Sequence, residues 1–289
     1  MDVISLFDPW NDPLCSCPVK YSLNPYTGCS HGCIYCYISS YIPRAFESRV
    51  KKDILIRVER DMRKLDRLPI SMSNSSDPYP PLEAKNKLTR GVLEIIKRYR
   101  HPLLIVTKSD LVTRDIDLLR EMDAVVMITI TTLDPVHKKT EPGAPSPKRR
   151  LKAMAELSEA EIPVGLRLDP IIPGISNDYR ELIESTYCAG ASHVVASTFK
   201  PRPDGWNRFK KTFPKLSSDL RPLYFEEGEV HQSSRYLPKE LRRKILSELK
   251  YEVEDREMTF STCREGMFKN EKACCDGSFM LKEPRPTQG

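Results

Sequence analysis

The feature that most constrains this chain is a rhythm. Short apolar runs at residues 20–23, 69–73, 102–107, 124–131, 163–168 and 193–197 are separated by longer, charged segments of helical period. Alternation of this kind is the signature of successive strand and crossover-helix units feeding a parallel sheet. The run at 102–107, rich in Leu, Ile and Val, reads as a strand buried on both faces. Between the runs, Ile54, Val58, Met62 and Leu65 recur at helical spacing, and helices are also expected at 88–99, 111–122, 147–161 and 177–188. Asp115 and Ser146 stand where helix caps belong, and Pro147 suits a first helical position. The expected fold is α/β: a partial (β/α)6 TIM-type barrel over residues 18–200, with an N-terminal lead-in at 1–17 and a C-terminal extension at 201–289.

In such sheets the chemistry gathers at the carboxyl ends of the strands. Polar residues follow each predicted strand here, and the first of these loops holds the densest signal, Gly28-Cys29-Ser30-His31-Gly32-Cys33-Ile34-Tyr35-Cys36-Tyr37. Cys29, Cys33 and Cys36, spaced C-x3-C-x2-C, are one thiolate short of a closed tetrahedral zinc site or a four-ligand cluster. Three readings stand on spacing alone. One is an iron-sulfur cluster with an open iron, another is zinc completed by His31 or a distant cysteine, and the last is three unliganded thiols.

With Tyr35 just before the third cysteine, the motif resembles the radical S-adenosylmethionine superfamily. The stretch NPYTGCSHGCIYCY, with Ser76-Asp77-Pro78-Tyr79 and Glu141-Pro-Gly-Ala-Pro-Ser-Pro, is similar to the branch related to spore photoproduct lyase. That resemblance covers roughly residues 18–200. It implies a [4Fe-4S] cluster on Cys29, Cys33 and Cys36 whose open iron chelates S-adenosylmethionine, and reductive cleavage to a 5′-deoxyadenosyl radical that abstracts hydrogen from a substrate. It also implies an electron donor such as flavodoxin or ferredoxin. Residue by residue, Ser76 and Asp77 match the contact to the methionine amino group, and Lys108 matches the lysine that meets the methionine carboxylate. Thr129 or Thr131 matches a hydroxyl near the ribose or carboxylate, Tyr35 borders the adenine, and Arg167 offers a second charge to the carboxylate. In the lyase a cysteine ahead of the Ser-Asp pair returns hydrogen to the product. Residues 71–75 here contain none, which argues against thymine-dimer repair by that route and leaves Tyr37 or Tyr79 as candidate donors.

Five more cysteines lie near the two ends: Cys15 and Cys17 in the lead-in, Cys263, Cys274 and Cys275 in the tail. Termini often lie close together in compact domains, so four of these thiolates can meet as an auxiliary iron-sulfur cluster or a zinc site. Cys188, alone in a helix, reads as a core residue. The net charge of +6 equals that of residues 200–250 alone, where thirteen Lys and Arg face seven Asp and Glu. Trp206, Phe209 and Phe213 interleave with basic residues there, the mixture a nucleic-acid substrate would want. A peptide or metabolite substrate, or a zinc-bearing nucleic-acid-binding module without radical chemistry, are the alternatives. The longest apolar stretch, 124–130, is too short to span a bilayer and the first ten residues carry no basic n-region, so no membrane partner and a cytoplasmic location are expected.

Overall fold

The computed structural model describes residues 2–7, 12–72, 75–268 and 274–282. Its main sheet has eight strands whose spatial order follows the chain: β1 (Ile4–Leu6), β2 (Tyr21–Leu23), β3 (Ile70–Met72), β4 (Leu103–Thr107), β5 (Ala124–Thr129), β6 (Val164–Ile171), β7 (His193–Thr198) and β8 (Thr259–Thr262). All neighbours from β2 to β8 run parallel, and β1 lies antiparallel to β2 at one edge. Among the described residues β1 and β8 do not pair, so the sheet is a partial barrel. The six strands expected from the sequence are β2 to β7. β1 and β8 come from the lead-in and the extension, and both belong to the same sheet.

The sheet is covered on both faces, which is why its strands are continuous apolar runs. Ile70, Met72, Leu103, Ile105, Val126, Ile128, Leu166, Leu168, Val194 and Ala196 point outward. There they meet the helices α1 (Ile54–Met62), α2 (Leu88–Tyr99), α4 (Pro147–Glu159) and α5 (Tyr179–Cys188). Alternate residues Leu104, Val125, Met127 and Val195 face the concave side, and they pack against Cys17, Cys263, Cys275, Met280 and Leu281. The two chain ends therefore fill the barrel interior. At one point of contact Gly277, at φ +76°, lies so close to Met127 that a Cβ would stand 2.9 Å from its sulfur.

Local chemistry explains most helix limits. Ser146 Oγ accepts the Arg149 amide and Pro147 opens α4, as expected. The expected helix at 111–122 is instead a 3-10 turn, Asp110–Asp115, followed by the short α3, Ile116–Leu119. The Asp115 carboxylate does not cap it, because Arg90 and Arg114 hold it at 3.0 and 2.7 Å. Beyond β7 come α6 (Pro203–Thr212), α7 (Pro214–Phe225) and α8 (Lys239–Glu254). Here the expected basic, aromatic surface is corrected. Trp206 and Phe209 are buried with Phe199, Leu220 and Tyr224, so these rings serve as core. Arg242 is buried and paired with Glu265 at 3.0 Å. Cys188 is also corrected, since it lies exposed at the end of α5 with its thiol turned to Glu184. Among the described residues no helix is long and apolar enough to cross a membrane.

Candidate active site at the barrel mouth

The cysteine loop leaves β2 and crosses the carboxyl ends of the strands. It is fixed by its backbone: Cys29 N donates to Ala45 O at 2.7 Å, Ile34 N to Thr140 O at 3.0 Å, and Gly143 N to His31 O at 2.9 Å. Two glycines are required for closeness. A Cβ on Gly28 would lie 2.3 Å from Glu47 O, and one on Gly143 would lie 2.2 Å from Ser30 O. From α6, Arg208 reaches across to donate to Ile34 O at 3.0 Å and Cys36 O at 2.6 Å. Burial pushes all three thiols up, Cys29 to about 12, and the neighbouring Asp77 adds to this at Cys29. Among the described residues no group of three or more metal-ligating side chains is spaced as a ready-made shell for an ion.

Beneath the loop lies a buried polar network. Glu141 accepts from the Tyr35 hydroxyl and from Thr131 Oγ1, and pairs with Arg150 at 2.5 Å. Arg150, wholly buried, also donates to Pro145 O at 2.8 Å and Thr129 O at 2.9 Å. Burial alone would raise the Glu141 carboxyl, but the Arg150 and Lys108 cations and the Tyr35 hydrogen bond bring it down to about 2.

Asp77 is wired into the same region. One oxygen accepts Tyr79 N at 2.9 Å and Thr107 Oγ1 at 2.7 Å; the other accepts Lys108 N at 2.8 Å and faces His31 Nε2 at 3.3 Å. A carboxylate has about four lone-pair sites, and here protein donors occupy that number. Burial is again outweighed, by His31 first and then by these hydrogen bonds, and the group sits at about 2. Ser76 Oγ donates to Tyr26 O at 2.9 Å.

Lys108 differs from its neighbours. Its ammonium stands over the Tyr35 ring at 5.5 Å, half-buried, and among the described residues it has no carboxylate at ion-pair distance. Burial disfavours its charge, yet Cys33 and Glu141 together raise it, and Glu141 is the one ionised at neutral pH. Arg167, by contrast, is already paired. It meets Asp169 at 2.6 Å and donates to Cys263 Sγ at 3.4 Å, so its charge is turned toward the barrel interior. Tyr79 is fully buried among the outer-face residues, which removes it as a hydrogen donor at the mouth. Tyr37 is 40% exposed and stacks on Tyr41 at 6.2 Å, directly beyond the third cysteine. Ser73 and Asn74 lie outside the described residues.

Sequence reasoning missed Arg150 and Arg208, which resemble surface charges on amphipathic helices, and the role of Glu141. The segment beginning at Glu141 was noted as a motif, and that was the available signal. The largest groove, about 1180 Å³, is on the outside of the barrel between α1 and α2, lined by Leu55, Glu59, Arg98 and others, away from these residues.

The model of the radical SAM superfamily matches residues 23–185. The chain belongs to that superfamily. An uncharacterised protein of Methanocaldococcus jannaschii is 36% identical over 181 residues, covering 59% of this chain and 65% of its own. The radical SAM Nα-GlyT isomerase of Pseudomonas phage M6 is 25% identical over 265 residues, 83% of this chain and 53% of its own. In fold the chain is similar to a spore photoproduct lyase variant with bound S-adenosylmethionine and dinucleoside spore photoproduct. The TM-score is 0.67 at 18% identity, covering 90% of this chain and 79% of that one. The chain is thus a radical SAM enzyme, and the family implies S-adenosylmethionine, an iron-sulfur cluster and a reductant. The alternative of a zinc module without radical chemistry is set aside.

Proposed function

We propose that Cys29, Cys33 and Cys36 hold a [4Fe-4S] cluster and that Lys108 binds the carboxylate of S-adenosylmethionine beside it. The observation that carries this reading is the half-buried Lys108 ammonium, next to three thiols and without a carboxylate partner among the described residues. A buried cation calls for an anion, and the carboxylate of an amino acid supplies one. The donor set fits the cluster: three soft ligands on a glycine-bearing loop, with no fourth thiol among their printed neighbours. When bound, the cluster supplies the electron that breaks the sulfonium's bond to the 5′ carbon.

The chain's own residues do the positioning. Asp77 joins the end of β3 to the start of the loop after β4 and to His31, so its carboxylate fixes the site while the backbone around Ser76 is left to face the amino group. Glu141 and Arg150 hold Tyr35 and Thr131, and with them the wall on which adenine would lie. Arg208 holds the carbonyls of Ile34 and Cys36 from the opposite side.

For the substrate, the reading favoured is a nucleic acid or a nucleoside within one. The stacked, exposed Tyr37 and Tyr41 offer a surface for a base beside Cys36, with Arg202 bonded to Ser40 at the same rim and Lys210 and Lys211 exposed nearby on α6. The printed names of the phage isomerase and the lyase complex agree in class. The electron donor would be a flavodoxin or ferredoxin. Reconstituted protein, given reductant and S-adenosylmethionine, should release 5′-deoxyadenosine, and Cys33→Ala should not. Single-stranded DNA or RNA should bind with an affinity that falls steeply with salt. Release of deoxyadenosine with no salt-dependent nucleic-acid binding would retain the cofactor reading and defeat the substrate reading.

A further inference from the structure

Five cysteines lie outside the loop of the active site, and the fold sorts them. Cys17 Sγ is 3.6 Å from Cys275 Sγ. Cys15 hydrogen-bonds Cys17, and Cys275 hydrogen-bonds both Cys17 and Cys263. Cys274 is turned away, with its thiol on Asp276 Oδ1 at 2.8 Å and Ser278 Oγ at 2.9 Å. Four thiols from two segments over 240 residues apart in sequence therefore converge. They do so inside the barrel, against Leu104, Val125, Met127 and Val195.

We propose that Cys15, Cys17, Cys263 and Cys275 are the ligands of one tetrahedral zinc ion that fastens the lead-in and the tail together inside the barrel. The sulfur spacing favours a single ion over a second cubane. Four thiolates at about 2.3 Å from one zinc lie about 3.8 Å from each other, close to the 3.6 Å found between Cys17 and Cys275. A four-iron cube puts each thiolate on a different iron and holds the sulfurs much further apart. All-sulfur tetrahedral donor sets select zinc or iron, and zinc serves where the site only has to hold.

The surroundings fit as well. Arg167 donates an N–H to Cys263 Sγ at 3.4 Å, the kind of outer contact that orients a thiolate ligand. The same two segments are joined by ion pairs on either side of the thiols, Lys20 to Asp276 and Asp12 to Arg264. The Cys263 amide donates to Ala196 O at 2.9 Å, which continues the ladder from β8 and sets that ligand rigidly. On binding, each thiol gives its proton to solvent and its sulfur lone pair to the ion. No oxidant or reductant is involved.

The test is metal analysis of the full chain together with a Cys29→Ala/Cys33→Ala/Cys36→Ala variant, which separates this site from the cluster of the proposed function. One zinc per chain should survive gel filtration in both proteins, while the iron is lost from the variant. X-ray absorption at the zinc edge should show sulfur alone at about 2.3 Å. Cys17→Ser and Cys275→Ser should lose the zinc, and Cys274→Ala and Cys188→Ala should keep it. If the serine variants do not fold, zinc-edge spectra and cobalt replacement in the wild-type chain still decide the ligand set. Zinc that vanishes with the first three cysteines, iron in place of zinc at the second group, or a Cys17–Cys275 disulfide in metal-poor protein would each overturn the proposal.

Discussion

Replacing Arg150 by Met tests the network under the cysteine loop. The side chain is wholly buried and makes the ion pair with Glu141 at 2.5 Å, so the variant leaves a carboxylate enclosed without its cation. Removing one partner of a buried pair costs about 3–5 kcal/mol. The proton affinity of Glu141 gives an independent figure. Its carboxyl falls from the ordinary 4.5 to about 2, and at about 1.4 kcal/mol per tenfold change in proton affinity this corresponds to about 3 kcal/mol. Thermal unfolding should accordingly drop by roughly 6–12 °C at pH 7.

The pH dependence separates this cause from simple loss of packing. In the wild type a depressed carboxyl contributes stability above about pH 4.5, and that contribution is lost as pH falls toward 2. In Arg150→Met burial dominates, so Glu141 rises above its ordinary value and prefers to be protonated. The gap between the two proteins should therefore be smallest near pH 4 and widen as pH rises. Arg150→Met/Glu141→Gln should recover much of the loss and remove the slope. Urea unfolding from pH 4 to 8 measures this. A loss under about 1 kcal/mol, or a gap that does not change with pH, would refute the assignment of the energy to the pair.

Lys108→Met should weaken S-adenosylmethionine binding roughly 10- to 100-fold, the loss of one charge-assisted contact, with iron content unchanged by metal analysis. Gly143→Ala puts a Cβ 2.2 Å from Ser30 O, so the cysteine loop must shift, and both iron content and deoxyadenosine yield should fall together. Asp77→Ala removes the acceptor for the Lys108 amide and the Thr107 hydroxyl; stability should fall by about 2–4 kcal/mol, read by urea unfolding. Because Asp77 lies near 2, wild-type binding of S-adenosylmethionine should show no inflection between pH 4 and 6 from this group, as calorimetry would detect.

The sequence was most legible where burial is two-sided. Strands β3 to β7 are apolar enough on both faces to stand out, and the loops after them inherit their positions from the sheet. β8 could not be read the same way. Thr259–Thr262 is short and hydroxyl-rich, and only its parallel pairing with β7 makes it a strand. Charged residues were misread for a related reason. Arg150 and Arg242 occupy helices whose spacing resembles a solvated face, and what buries them lies far along the chain: Glu141 with the carbonyls of Pro145 and Thr129 for one, Glu265 for the other. Trp206 and Phe209, read as a stacking surface, are enclosed because α7 folds back over α6, a contact that residue spacing does not encode.

Asp77 shows how a motif can point to the right place and leave the role open. Its position after β3 was legible, because the strand ends there and Pro78 stops any continuation. Its hydrogen bonds were not, because Lys108 N and Thr107 Oγ1 come from β4 and its loop and His31 from the loop after β2. The carboxylate thus ties three strand ends to one point. Lys108 is held there by its backbone amide, which leaves its side chain to extend over Tyr35. A cation fixed at its root and unpaired at its tip is what anion recognition needs, and that division of work between Asp77 and Lys108 appears only when the strands are side by side.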